Sequence, residues 1–164
     1  TYFEEAYVLY SAQRYNVKGG RYFSTPLKYY FADIGLRNAR LNFRQVEETH
    51  IMENILYNDL IRRGFNVDVG VVDYFHNEEG KKKRTQLEVD FVVNRGNLRY
   101  YVQSAFAINS EEKREQERNS LRRIDDSFKK FIVVKENIVP RYDECGIYYV
   151  GIKDFLLADD LSKL

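Results

Sequence analysis

The sequence has a single cysteine, Cys145, only two prolines and no tryptophan among its 164 residues. One cysteine cannot form an intramolecular disulfide and is typical of a reducing compartment, so we expect a cytoplasmic protein. The chain lacks any apolar run near the ~18 residues that span a bilayer, and its start does not resemble a signal peptide. We therefore expect no membrane partner.

The chain also lacks an excess of charge of either sign. Its 26 Lys and Arg residues face 25 Asp and Glu residues, which gives a formal net charge of +1. This balance excludes a strongly basic nucleic-acid binder, so any nucleic-acid site must be a local patch. Because 44% of the residues are apolar and 15% are aromatic, we expect a folded domain with its own core.

Local patterns predict an α/β fold with a mixed central sheet flanked by helices. Apolar residues recur at helical spacing over residues 47–63, and Gly64 follows as a helix stop. Two β-prone runs around the turn at residues 18–20 predict a first hairpin. Residues 76–86 are charged and contain no large apolar residue, so they are predicted to form a solvated loop.

A second predicted hairpin joins residues 87–93 to residues 98–106. In the register that its tight turn favours, Asp90 faces Gln103. Strict alternation then places both on one face with Glu88, while the odd-numbered residues of the first strand form an apolar face.

Three residues are candidate catalytic groups: Glu53 on the predicted helix, and Asp90 and Gln103 on the hairpin. A metal-dependent phosphodiesterase needs oxygen ligands around a divalent ion and a lysine that stabilises charge. Asp90 and Gln103 are candidate ligands for Mg²⁺ or Mn²⁺, but Ala105 stands where the lysine would be needed. The site is therefore predicted to be degenerate, the chain inactive and no cofactor required. Alternatively, these acids are simply solvated, as most charged residues are.

Five basic residues are candidate nucleic-acid contacts. They are Arg14, Lys18, Arg21, Lys113 and Arg114. The first three lie among tyrosines of the first hairpin, and such interleaving can follow a nucleic-acid backbone. The other two belong to a charged helix predicted over residues 110–124. A solvated helix face and tyrosines packed on the domain are the open alternatives.

Six segments together resemble the C-terminal domain of prokaryotic AAA-type (P-loop) ATPases. They are residues 2–7, 14–19, 28–38, 53–64, 88–92 and 101–103. In that family a P-loop ATPase domain precedes a winged-helix segment and a restriction-endonuclease-like domain. The resemblance implies that residues 1–40 are a partial winged helix with the first hairpin as its wing, and that residues 41–164 are the restriction-endonuclease-like domain.

The resemblance also matches Glu53 to the helix acid of the nuclease fold, Asp90 to the hairpin acid and Gln103 to the position of the second acid. ATP would bind only in the domain that precedes this chain, which has no phosphate-binding loop of its own. We thus expect an inactive nuclease-like module that contacts nucleic acid or protein, with the parent ATPase domain and DNA as partners.

Two alternatives stay open at this point. The first is a divergent metal-dependent DNA nuclease, in which Lys113 or Arg114 replaces the missing lysine. The second is a dimerisation or partner-docking module based on the aromatic first hairpin, which would make the protein a homo-oligomer.

Overall fold

The computed structural model describes residues 2–44, 47–78 and 80–164. Within these residues the α-helices are α1 (Tyr2–Glu5), α2 (Ile34–Arg40), α3 (Glu48–Arg62), α4 (Glu111–Arg122) and α5 (Ile152–Leu157). The strands are β1 (Leu9–Asn16), β2 (Arg21–Phe31), β3 (Asn66–Glu78), β4 (Lys81–Arg95), β5 (Leu98–Ala105), β6 (Lys129–Val134), β7 (Arg141–Tyr142) and β8 (Ile147–Gly151). A 3₁₀ helix, Leu161–Lys163, lies at the end.

The strands form one sheet in the order β2-β1-β3-β4-β5-β6-β8-β7. The pairs β1/β3, β5/β6 and β6/β8 are parallel, and the other neighbours are antiparallel. This arrangement confirms the predicted α/β class with a mixed central sheet flanked by helices.

Helices cover both faces of this sheet, which explains its two apolar cores. Leu56 and Leu60 of α3 pack with Phe155 of α5 in the first core. Leu121 of α4 packs with Ile132 of β6 in the second. Strand β6 is apolar on both sides because both its faces are covered. Among the described residues, no helix combines the length and the apolar character needed to cross a bilayer.

Helix α3 follows its sequence pattern closely. Met52, Leu56 and Leu60 recur every fourth residue, so they share one face, and all three are buried. The helix ends before Gly64, whose φ of 78° lies in the left-handed region that glycine adopts without strain. The predicted helix and its stop are both confirmed.

The β4–β5 hairpin has the predicted register, with Phe91 opposite Val102. The predicted faces are wrong, however, because a β-bulge interrupts β4. Asp90 and Phe91 together stand opposite Val69 of β3. Phe91 consequently belongs to the core under α3, whereas Val89 belongs to the core under α4.

Gly70 of β3 is the residue that makes room for this bulge. A Cβ atom at this position would lie 2.9 Å from Cβ of Val89 and 2.9 Å from Cγ2 of Val92. The bulge turns both valines to the same face of the sheet, where only a glycine fits opposite them.

Residues 76–86 were predicted to be a loop, and this prediction is wrong for the described part. Strand β3 continues to Glu78 and β4 begins at Lys81, with His76 paired to Lys83. Here the two strands form an arm with mostly exposed side chains. An exposed ribbon needs no alternating apolar face, so the sequence carried no strand pattern there.

The first hairpin, β1–β2, joins the same sheet. Strand β1 runs parallel to β3 from the pair Arg14 and Val69 onward. Helix α3 also holds β2, since the Asn54 side chain accepts a hydrogen bond from the Phe31 amide at 2.9 Å and donates one to the Phe31 carbonyl at 2.8 Å. Polar contacts thus attach the hairpin to α3, in addition to the packing of Tyr30 against Tyr57 in the first core.

Candidate functional site

Three carboxylates, Glu53 of α3 and Glu88 and Asp90 of β4, form what we call the acidic cluster. Glu53 Oε1 accepts a hydrogen bond from the Tyr30 hydroxyl at 2.7 Å. The same oxygen lies 2.7 Å from Nζ of Lys28. Strand β2 therefore places a lysine and a tyrosine directly on the helix acid.

Glu88 is bound by two cations. Its Oε1 lies 2.9 Å from Nζ of Lys28, and its Oε2 lies 2.7 Å from Nη1 of Arg14. Burial opposes ionisation of Glu88, but the contacts with Lys28 and then Arg14 outweigh it and lower the pKa of Glu88. The ammonium of Lys28 therefore bridges Glu53 and Glu88.

Lys28 keeps its charge in this position. Burial alone would lower the pKa of Lys28, but attraction to Glu53 and hydrogen bonds to Glu53 and Glu88 outweigh it and raise the pKa. An ammonium between two carboxylates compensates their mutual repulsion.

Asp90 is half-buried in the cluster and has a different ionisation state. Burial, followed by repulsion from Glu53, raises the pKa of Asp90 to about 8. A hydrogen bond of 2.7 Å from the Ser104 amide to Asp90 Oδ2 acts in the opposite direction and only partly offsets this rise. At neutral pH the Asp90 carboxyl group is therefore mostly protonated.

The Gln103 side chain makes two hydrogen bonds and is not paired with the Asp90 carboxyl group as a second metal ligand would be. Its Oε1 accepts a hydrogen bond from the Asp90 backbone amide at 3.2 Å, and its Nε2 donates one to Glu117 Oε2 of α4 at 3.2 Å. Ala105 is fully buried in the core under α4. Among the described residues, no three or more His, Cys, Asp or Glu side chains are grouped so that they could hold a metal ion.

The structure brings Glu53 and Asp90 together, but the predicted common face of Asp90 and Gln103 is wrong, because the Gln103 side chain turns to Glu117 of α4 on the other face of the sheet. The sequence analysis missed Lys28 and Tyr30, which complete the cluster. Their i, i+2 spacing on a strand indicated that they share a face. Nothing in the sequence indicated that this face meets Glu53, because the contact joins segments that are distant along the chain.

The five candidate nucleic-acid contacts have different surroundings. Arg14 is bound to Glu88, and Arg114 of α4 is bound to Glu111 at 2.8 Å. Lys18 and Arg21, at the turn between β1 and β2, are exposed and have no ion-pair partner among the described residues. The fifth, Lys113, lies in the first turn of α4 near Glu117; burial raises the pKa of Glu117, and attraction to Lys113 offsets only part of this rise.

Comparison with known proteins gives a family and one relative. The family described as "Domain of unknown function (DUF4143)" matches residues 48–155, which extend from the start of α3 into α5. The chain is 30% identical over 154 residues to an uncharacterized protein of Haemophilus influenzae. This match includes 94% of the chain but 34% of the relative, so the chain spans about a third of the relative's length. No solved structure matches.

Proposed function

The chain belongs to the DUF4143 family, and from the geometry of its acidic cluster we propose that it is a non-catalytic accessory domain that binds nucleic acid or protein. We further propose that it serves a longer AAA-type ATPase, as a restriction-endonuclease-like domain preceded by part of a winged helix. The resemblance of six segments to such proteins supports this proposal, as does a relative about three times as long.

The observation that carries the proposal is the internal compensation of the acidic cluster. Metal-dependent hydrolysis requires ionised carboxylates that are free to take a divalent cation. Here Lys28 bridges two of the acids, at 2.7 Å from Glu53 and 2.9 Å from Glu88. Asp90 is mostly protonated at neutral pH, and Gln103 is neutral. These contacts fit a cluster that holds strand β2 on α3.

A cleavage assay tests the non-catalytic role. The chain is incubated with circular single-stranded DNA and with plasmid DNA in Mg²⁺ or Mn²⁺, beside the variant Asp90→Asn. We expect the same background level of nicking from both proteins. Metal-dependent cleavage that disappears in the variant would overturn the proposal.

A divergent metal-dependent nuclease is the second candidate, and the position of Lys28 favours it. Its ammonium lies at the acids, and a nuclease needs such a cation there. Ala105, which stands at the position of the nuclease lysine, does not supply one. Activity of this kind would increase above about pH 8, where Asp90 ionises, and would be lost in Lys28→Ala. Measurement of cleavage between pH 6 and pH 9 therefore separates the two candidates.

A further inference from the structure

A basic concave surface lies where the β1–β2 turn meets the arm formed by β3 and β4. We call it the basic groove; its volume is about 790 Å³. Four of its lining residues are cations: Lys18, Arg21, Arg84 and Arg123. They come from the first hairpin, from β4 and from the end of α4, so the fold brings together charges that are scattered in the sequence.

The carboxylates in the groove's own described lining do not cancel its positive charge. Among its described lining residues the only carboxylate is that of Asp73, and Arg84 binds both of its oxygens, at 3.0 Å and 2.8 Å. The hydrogen bond from Arg84 is the main cause that lowers the pKa of Asp73. Lys18 and Arg21 have no ion-pair partner among the described residues. The groove's own lining therefore has an excess of positive charge although the chain is nearly neutral, while Asp125 and Asp126 line an adjoining cavity that Lys18 shares.

Aromatic rings lie among these cations. The guanidinium of Arg123 lies 3.8 Å from the ring centroid of Tyr74, which holds the arginine at the groove. Phe75 is 57% exposed and has an ammonium, that of Lys82, 4.8 Å from its ring centroid. An exposed ring beside a cation offers a stacking surface for a flat group.

We propose that the basic groove binds a segment of single-stranded nucleic acid, with phosphates at Lys18 and Arg21 and a base stacked on Phe75. Cations along a groove together with an exposed aromatic ring are the features by which proteins bind single strands without sequence preference. A duplex offers phosphates but keeps its bases stacked on one another, so it could use only the cations. This inference rests on the proposed binding function and specifies its partner.

Fluorescence anisotropy with a labelled 15-nucleotide oligothymidylate tests this assignment. The double variant Lys18→Ala/Arg21→Ala should weaken binding at least tenfold and reduce the slope of log affinity against log salt by about 1.4, because two phosphate contacts are lost. The matched control is Arg40→Ala/Lys153→Ala, which removes two exposed cations outside the groove. It should bind like the unmodified chain. Equal losses in both double variants would overturn the groove as the site.

Phe75→Leu tests the stacking contact separately. It keeps an apolar side chain but removes the ring, so we expect about fivefold weaker binding or more with an unchanged salt slope. Thermal melts of each variant check that the fold is intact. Unchanged affinity in this variant, or equal binding of a duplex of the same length, would overturn the single-strand assignment. If no oligonucleotide binds, the groove is not a nucleic-acid site. The non-catalytic role is unaffected by that result, because the cleavage assay tests it separately.

Discussion

Lys28 is the residue on which the acidic cluster depends. Lys28→Met keeps the length of the side chain but leaves Glu53 and Glu88 without the ammonium that bridges them. Because the Glu53 side chain is only 12% exposed, we expect the variant to lose ~1–2 kcal/mol of unfolding free energy at pH 7. Urea denaturation measures this loss, which should shrink as the pH falls below the ordinary pKa of a glutamic acid and through the lowered pKa of Glu88.

Lys135→Met is the matched control for Lys28→Met. Lys135 also pairs with a glutamate, Glu48, at 2.7 Å, but both side chains are at least half exposed. Its loss should cost less than ~0.5 kcal/mol. If both variants lose the same unfolding free energy, Lys28 has no special role as a bridging lysine.

Asp90 should make the stability of the protein depend on pH. The folded state keeps the Asp90 proton up to about pH 8, whereas an unfolded aspartic acid releases it near pH ~4. Between these values the folded state binds more protons, so its stability falls as pH rises, by up to ~1.4 kcal/mol per pH unit. Asp90→Asn should therefore gain stability relative to the unmodified chain between pH 5 and pH 8. Parallel stability curves for the two proteins would contradict the raised pKa.

At the residue scale the sequence predicted the acids better than their partners. Glu53 and Asp90 were predicted as candidate acids of one site, and each lies on a well-defined helix or hairpin. Lys28 and Tyr30 could not be predicted, since their contact with Glu53 depends on how β2 packs against α3. The role of Gln103 was also hidden, because its partner Glu117 belongs to a helix on the other face of the sheet.

At the scale of single elements, the bulge in β4 requires a glycine at position 70 of β3. Gly70→Ala would place a methyl group 2.9 Å from atoms of both Val89 and Val92. We expect a loss of ~1–3 kcal/mol, because overpacking forces side chains or backbone to shift. Thermal or urea denaturation measures this loss. An unchanged midpoint would show that the strands can separate here without cost.

The elements differ in how far the sequence could predict them. Helix α3 and the β4–β5 register were predictable because the apolar residues that specify them are close along the chain. The bulge at Asp90 and Phe91 was not, since it arises from the mismatch between β3 and β4. The arm at residues 76–86 lacked any strand pattern, because a solvent-exposed ribbon selects no alternating face.

On the scale of the whole molecule, the first hairpin is needed to complete the structure around α3. Removing residues 1–36 would delete β1 and β2, and with them Lys28 and the Tyr30 ring, which stacks on Tyr57 at 4.0 Å. We expect the shortened chain to have a lower melting temperature than the full chain, measured by circular dichroism. Gel filtration of both proteins also tests the dimerisation alternative, since an unchanged oligomeric state would exclude the hairpin as the cause of any association.

The overall class was predictable from the order of helical and strand patterns, and the mixed sheet confirms it. The division into residues 1–40 and residues 41–164 came from a resemblance and stays a prediction. The family match begins at residue 48, and β1 pairs directly with β3, so the hairpin and the following residues share one sheet. Long-range pairing of this kind leaves no local pattern in the sequence.

The polar attachment of the first hairpin couples its motion to a proton. Lys28 and Tyr30 are held on Glu53, and the electrostatic field of Glu53 helps to keep Asp90 protonated. If β2 moves away from α3, water reaches these groups. The pKa of Asp90 then falls toward its usual range, so Asp90 releases its proton at neutral pH. Between pH 5 and pH 8 a rise in pH therefore favours detachment of the hairpin and a fall in pH favours its closure, so the acidic cluster links hairpin opening to the pH of the surrounding solution.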